Sequence, residues 1–152
     1  MRVRRWWVIA GVVVALGVAF FIFKNASTNV ANSSYVQKDI TIHGEKVRVD
    51  IADTSPLREQ GLSGRAPLAP RTGMLFVFPQ DGHYAFWMKD MRFSIDIVWL
   101  ASDGSVVGFF ENVAPESYPK SYAPQGDARY VVELPGGYVH THGVKVGDRI
   151  DL

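Results

Sequence analysis

Hydrophobic positions along this chain follow three different rhythms, and each predicts a different kind of element. The first rhythm is continuous. Trp6 to Phe23, WWVIAGVVVALGVAFFIF, runs 18 residues without a charge, close to the roughly 20 residues that a helix needs to span a bilayer. It predicts a membrane-inserted helix within residues 1–24. The alternative is a cleaved export signal, whose apolar core usually runs about 7–15 residues and ends at small residues. Here the run ends in Phe20-Phe21-Ile22-Phe23-Lys24, and the later Asn29-Val30-Ala31 fits a cleavage site poorly. An uncleaved signal anchor is therefore favoured. Residues 25–34, NASTNVANSS, are small, polar and aperiodic, and read as a flexible linker. The folded domain is expected over residues 35–152.

The second rhythm has period two. Ile40 and Ile42, then Val47, Val49 and Ile51, flank His43-Gly44 and predict a hairpin with one apolar face. Ser105 to Phe110, after the turn Ser102-Asp103-Gly104, predicts a second hairpin strand, and Arg129 to Leu134 another, ended by Gly136-Gly137. A short last strand is expected at Arg149 to Leu152. The third rhythm is a set of short runs apolar on both faces: Met74 to Phe78, Tyr84 to Met88 and Ser94 to Leu100. Pro79-Gln80-Asp81-Gly82 reads as a tight turn between the first two. Strands apolar on both faces need cover on both sides. Helical signals are few. Ser55-Pro56 with Glu59 reads as a cap and first turn, with Thr54 as the alternative cap and Gly61 or Gly64 as the stop, and Tyr138 to His142 reads as one helical turn.

The fold class expected from these rhythms is mainly β, a β-rich α+β domain. It would be a small closed or partly open barrel of about seven or eight short strands with one or two short helices, behind the N-terminal transmembrane helix. Residues 114–127, with three prolines and the near-repeat Ser-Tyr-Pro and Ser-Tyr-Ala, form a long loop, and loops of that length often carry function.

Charge adds orientation. Arg2, Arg4 and Arg5 precede the apolar run and Lys24 follows it, which holds the N-terminus in the cytoplasm and places the domain on the extracytoplasmic side of the cytoplasmic membrane. Without those four, 12 basic residues face 15 acidic ones, a net charge of about −3 with no basic run, so nucleic acid is not an expected partner. The absence of cysteine excludes disulfides and thiolate metal sites. The expected partners are the membrane, through the N-terminal helix, and an unidentified envelope ligand or protein.

The ordered motifs REQGLSGR, GMLFVF, FWMKDMRFSIDIVWL, YVVELPGG and GVKVGD resemble the domain of unknown function 192 family over roughly Thr41 to Ile150. That resemblance implies a compact β-rich fold, often behind an export signal or anchor, and no agreed activity. The family pattern is matched at Arg58, Gly61, Leu62, Arg65, Trp87, Met88, Lys89, Asp96 and Glu133. It departs at Ser63, where methionine is usual, and at Ser94, where proline is usual.

Candidate chemistry is sparse. Asp96 and Glu133 each interrupt an apolar strand, where a carboxylate is costly unless paired or hydrogen-bonded. They are expected either as structural locks, held by Arg58, Arg65, Lys89 or backbone N–H groups, or as the paired acid and base of a carboxylate-dependent hydrolase. The locks are favoured, since no substrate-positioning motif accompanies them. Arg58 and Arg65 are the structural ion-pair candidates. His140 and His142 could hold a metal through imidazole, but no third ligand has diagnostic spacing, so neither a metal nor a cofactor is expected. Trp87 and Lys89 alternate with Phe86 and Met88, so Trp87 either packs or forms an aromatic platform beside Lys89, with Tyr118 and Tyr122 as its lid. The favoured function is a small-ligand-binding or partner-binding accessory module of the cell envelope. The hydrolase and a purely structural envelope protein are the alternatives.

Overall fold

The computed structural model describes residues 35–152; the transmembrane helix expected within 1–24 and the linker at 25–34 lie outside them. Among the described residues no helix is long and apolar enough to cross a membrane. The domain is mainly β, with eight strands and two short α-helices. They run β1 (Gln37–Ile42), β2 (Glu45–Ala52), α1 (Ser55–Gln60), β3 (Thr72–Gly82), β4 (Phe86–Trp87), β5 (Ile95–Leu100), β6 (Val106–Val113), β7 (Ser121–Tyr122), β8 (Ala128–Pro135) and α2 (Tyr138–His142).

Six strands form one sheet in the order β1-β2-β3-β8-β5-β6, and β4 pairs with β7 in a separate two-stranded piece. Every neighbour pair is antiparallel except β2 and β3, which run parallel because α1 carries the chain back between them. The sheet does not close into the barrel that strands apolar on both faces suggested. Among the described residues its edges, β1 and β6, pair with no further strand, and the C-terminal segment touches both ends through the isolated bridges Thr41 to Asp151 and Ser105 to Arg149. That segment forms bridges rather than the expected last strand.

Cover comes instead from separate layers. On one face Ile40, Val49, Val98, Val132 and Leu134 pack with Tyr138 and Val139 of α2 and with Val144 and Ile150. On the other, Met74, Phe76, Ile97, Trp99 and Val131 pack with Leu62 after α1, Met88 and Tyr122. All six residues of β5 are buried, because β5 sits between β8 and β6 and beneath both layers. Each fully buried aliphatic side chain there stabilises the fold by roughly 1.5–3 kcal/mol.

Two local expectations change. The cap of α1 is Thr54, whose side chain accepts from the Leu57 N–H at 3.4 Å, while Ser55 already begins the helix. Residues 79–82 are not a tight turn: β3 runs on to Gly82, which pairs with Ala128 after a register irregularity beyond Val77. Pro79 lacks an N–H and so falls in the irregular stretch, where ladder bonds are interrupted anyway. The chain then folds back so that Tyr84 stacks on Phe78, ring centroids 3.5 Å apart.

Candidate functional site

A cavity of about 540 Å³ opens on the second of these two faces, between the end of α1 and the chain from His83 to Lys89. Two stretches of sequence that lie far apart form its walls. The Ser63 hydroxyl donates to the Lys89 carbonyl at 3.0 Å, and the Gly64 N–H donates to the Asp90 carbonyl at 2.8 Å. The turn after α1 is thereby clamped to the stretch that carries Trp87. Gly61 is needed at this corner: its φ is +48°, and a Cβ would meet the Phe76 ring at 3.4 Å. The opposite wall is fixed from below, where the buried Trp99 indole N–H donates to the Tyr84 carbonyl at 2.8 Å.

Glu133 lies at the inner end of the cavity and is 5% exposed. It sits on β8 between Met74 of β3 and Ile97 of β5, neither of which offers a hydrogen bond. Its Oε2 is buried without a partner among the described residues. Burial pushes its pKa up to about 8, against a weaker opposing pull from the positive charge of Arg65. Burial thus favours the protonated form of Glu133, the one that can donate a hydrogen bond.

Asp96 faces the other way. It is fully buried, and its Oδ1 accepts from the N–H groups of Asn112 and Gly137, at 2.7 and 2.9 Å. Its Oδ2 accepts from the Val139 N–H at 2.7 Å. These bonds tie β6 and the start of α2 to β5. Asp96 lines no part of the cavity, so the two carboxyl groups share no cleft and a two-carboxylate hydrolysis has no geometry here.

Arg58 lines the cavity but has no carboxylate partner among the described residues: its Nη1 donates to the carbonyls of Asp53 and Val77, and its guanidinium lies over the Phe78 ring. Arg65 pairs with Asp50 at 2.6 Å and stacks over Tyr35. Trp87 and Lys89 sit at the rim, Trp87 at 55% exposure. The Tyr118 ring meets Trp87 edge to face, with centroids 5.9 Å apart. Tyr122 is buried next to Phe110 and belongs to the core, with Lys120 above its ring. His140 is exposed on α2, while His142 contacts Glu45 at 3.0 Å and stacks on Tyr138. Among the described residues no three potential ligands converge on a metal position.

The cavity-lining residues that sequence reasoning passed over as site residues include Glu59, Gln60, Phe78 and Tyr84. Only the folding of β3 past Pro79 brings the last two onto the wall, and no local pattern signals that.

The sequence profile of the DUF192 family, described as "Uncharacterized ACR", matches residues 38–152. A UPF0127 protein of Pyrococcus furiosus is 32% identical over 112 residues, covering 71% of this chain and 90% of that protein. A UPF0127 protein of Thermococcus sibiricus is 32% identical over 108 residues, covering 68% of this chain. The match spans 65% of that relative's own length, just under two thirds. A crystal structure from Sinorhizobium meliloti 1021, titled as that of a candidate transcription regulator, superposes with a TM-score of 0.73 at 34% identity. It covers 78% of this chain and 95% of that one. A protein of unknown function from Novosphingobium aromaticivorans DSM 12444 superposes with a TM-score of 0.69 at 25% identity, covering 78% and 85%.

Proposed function

This chain belongs to the DUF192 family, and on that footing we propose that its domain is a small-ligand-binding accessory module of the cell envelope, held at the membrane by its N-terminal segment. The observation that carries the binding reading is Glu133, a buried carboxyl with an unpartnered oxygen at the inner end of a cavity. A native core leaves few polar atoms unsatisfied, and each one asks for an explanation. A ligand that completes the hydrogen bond supplies one. The cavity wall is mixed, with Phe76, Phe86 and Trp87 beside the polar Arg58, Glu59 and Lys89, and a concavity that joins apolar rings to convergent polar groups can hold a small molecule. Trp87 and Tyr118 add an exposed aromatic pair at the rim, of the kind that contacts ligands through one apolar face.

The binding reading is tested by screening a fragment library against the full-length chain, following the Trp87 indole N–H signal by NMR after its assignment with Trp87→Phe. Binding fragments should move the Trp87 signal and leave backbone amides of the opposite face, such as Val139, nearly still. A library that never moves Trp87 removes the reading. Envelope placement rests on the apolar run at Trp6 to Phe23 and the arginines before it. Membrane fractionation and N-terminal sequencing test it: the intact chain should stay with the membrane, and a mature N-terminus between residues 25 and 34 would exclude the anchor.

A further inference from the structure

We propose that the cavity takes an uncharged ligand, one that inserts a carbonyl or comparable acceptor oxygen against the Glu133 carboxyl group, which donates its proton to that oxygen. The inference rests on the binding reading above and narrows it to one ligand class.

The geometry at the inner end selects among charges. Glu133 is flanked by Met74 and Ile97 on the neighbouring strands, so a ligand atom meeting it finds a single polar group in an apolar wall. A neutral amine would take the proton, and a cationic ligand would displace it to solvent; either leaves a buried ion pair, whose desolvation offsets much of its attraction. That pair would lie in a cavity lined by two cations, Arg58 and Lys89, against one further carboxylate, Glu59. An anionic ligand would be drawn to Arg58 and to Lys89 at the rim rather than to Glu133, and the Arg58 Nη1 already serves two backbone carbonyls while Nη2 lies 3.3 Å from the Ser55 hydroxyl. An uncharged acceptor accepts the one O–H available and imports no charge. Its apolar body then lies along Phe76, Phe86 and Trp87.

Other titrating groups surround the cavity without replacing Glu133 as donor. Arg58 and Glu59 come from α1, and Arg65 from the turn beyond it, where Asp50 engages it. His83 is paired with Asp127 at 3.2 Å, and Lys89 sits at the exposed rim. The strands on either side of Glu133 present no titrating side chain next to it on this face.

The test uses two matched pairs of probes that differ in having an acetamide or an amine: N-acetylglucosamine with glucosamine, and N-benzylacetamide with benzylamine. Each is titrated at pH 6.5 into the full-length chain, in a detergent without a sugar headgroup, while the Trp87 indole signal is followed. At least one acetamide should bind and its amine partner should bind about tenfold more weakly or not at all. Glu133→Gln keeps an N–H donor and should hold acetamide affinity within about threefold, whereas Glu133→Leu should lose about tenfold. Raising the pH to 9.5 should weaken acetamide binding about tenfold or more as the donor ionises. Unchanged amide signals on the opposite face, such as Val139, serve as the folding control for both variants.

Amines that bind as tightly as their acetamides, or acetamide binding indifferent to Glu133→Leu, would overturn the inference. If neither acetamide moves Trp87 while other library fragments do, this inference falls and the binding reading stands. If nothing moves Trp87, both fall.

Discussion

Asp96 and Glu133 lie one register step apart on paired strands and point to opposite faces of the same sheet. Ile97 of β5 is the residue opposite Glu133 of β8, and Asp96 is opposite Leu134. Successive side chains on a strand alternate faces, so a single step separates a carboxyl locked among three N–H groups from one left without a partner. Similar residues in similar strands thus take unlike roles.

Removing the Asp96 carboxyl should be costly. Asp96→Ala orphans the N–H groups of Asn112, Gly137 and Val139, and buried unsatisfied donors cost about 1–3 kcal/mol each before water enters. Urea unfolding should show a loss of about 3 kcal/mol or more. Asp96→Asn keeps one acceptor oxygen and should fall between the two.

Glu133 should make stability depend on pH in the opposite sense to an ordinary salt-bridged carboxylate. Its pKa rises from 4.5 to about 8 on folding, so between those values the native state holds a proton that the unfolded chain releases. The contribution is fully present below about pH 4.5 and is lost as pH rises towards 8. Relative to Glu133→Gln, the native protein should lose on the order of a few kcal/mol across that window, read from urea midpoints at successive pH values. A flat difference would show that Glu133 is not a buried acid.

Gly73 should tolerate no side chain. A Cβ there would lie 2.6 Å from the Glu133 carbonyl oxygen, and two paired strands cannot part without breaking the ladder between β3 and β8 that positions Glu133. Gly73→Ala should lower stability by about 2 kcal/mol or more, measured by thermal or urea unfolding.

Trp87 should matter more for binding than for folding. At 55% exposure it buries a little under half of its side chain, so its loss should cost about 1–2 kcal/mol, less than a core aromatic. Trp87→Ala should stay folded with a modestly lowered melting temperature and abolish the fragment-induced shifts of neighbouring backbone amides such as Lys89.

The sequence made the strands legible wherever the apolar period was clean. β1, β2, β5, β6 and β8 follow from Ile40 to Ile51, Ser94 to Phe110 and Arg129 to Leu134. The runs apolar on both faces correctly demanded two layers of cover, but they could not say whether a closed barrel or separate layers supplied it. Only α1, α2, the β4–β7 piece and the C-terminal segment answer that, through contacts distant in sequence. Pro79 illustrates another limit: its chemistry fits a turn and an irregular strand equally well, and the pairing of Gly82 with Ala128 decides. For the candidate site, Trp87, Lys89 and Glu133 stood out as residue types in unexpected company. Which face each carboxyl took depended on register, which no single strand encodes.

The most direct measurement is the pH titration of the Glu133 side-chain carboxyl carbon, assigned by comparison with Glu133→Gln and followed by NMR with and without a bound acetamide. A proton retained at pH 7, an apparent pKa near 8 and a further rise on binding are the expected results, since the ligand favours the protonated form. Titration near the ordinary glutamate value, unmoved by any ligand that shifts Trp87, would contradict a donor at the inner end of the cavity.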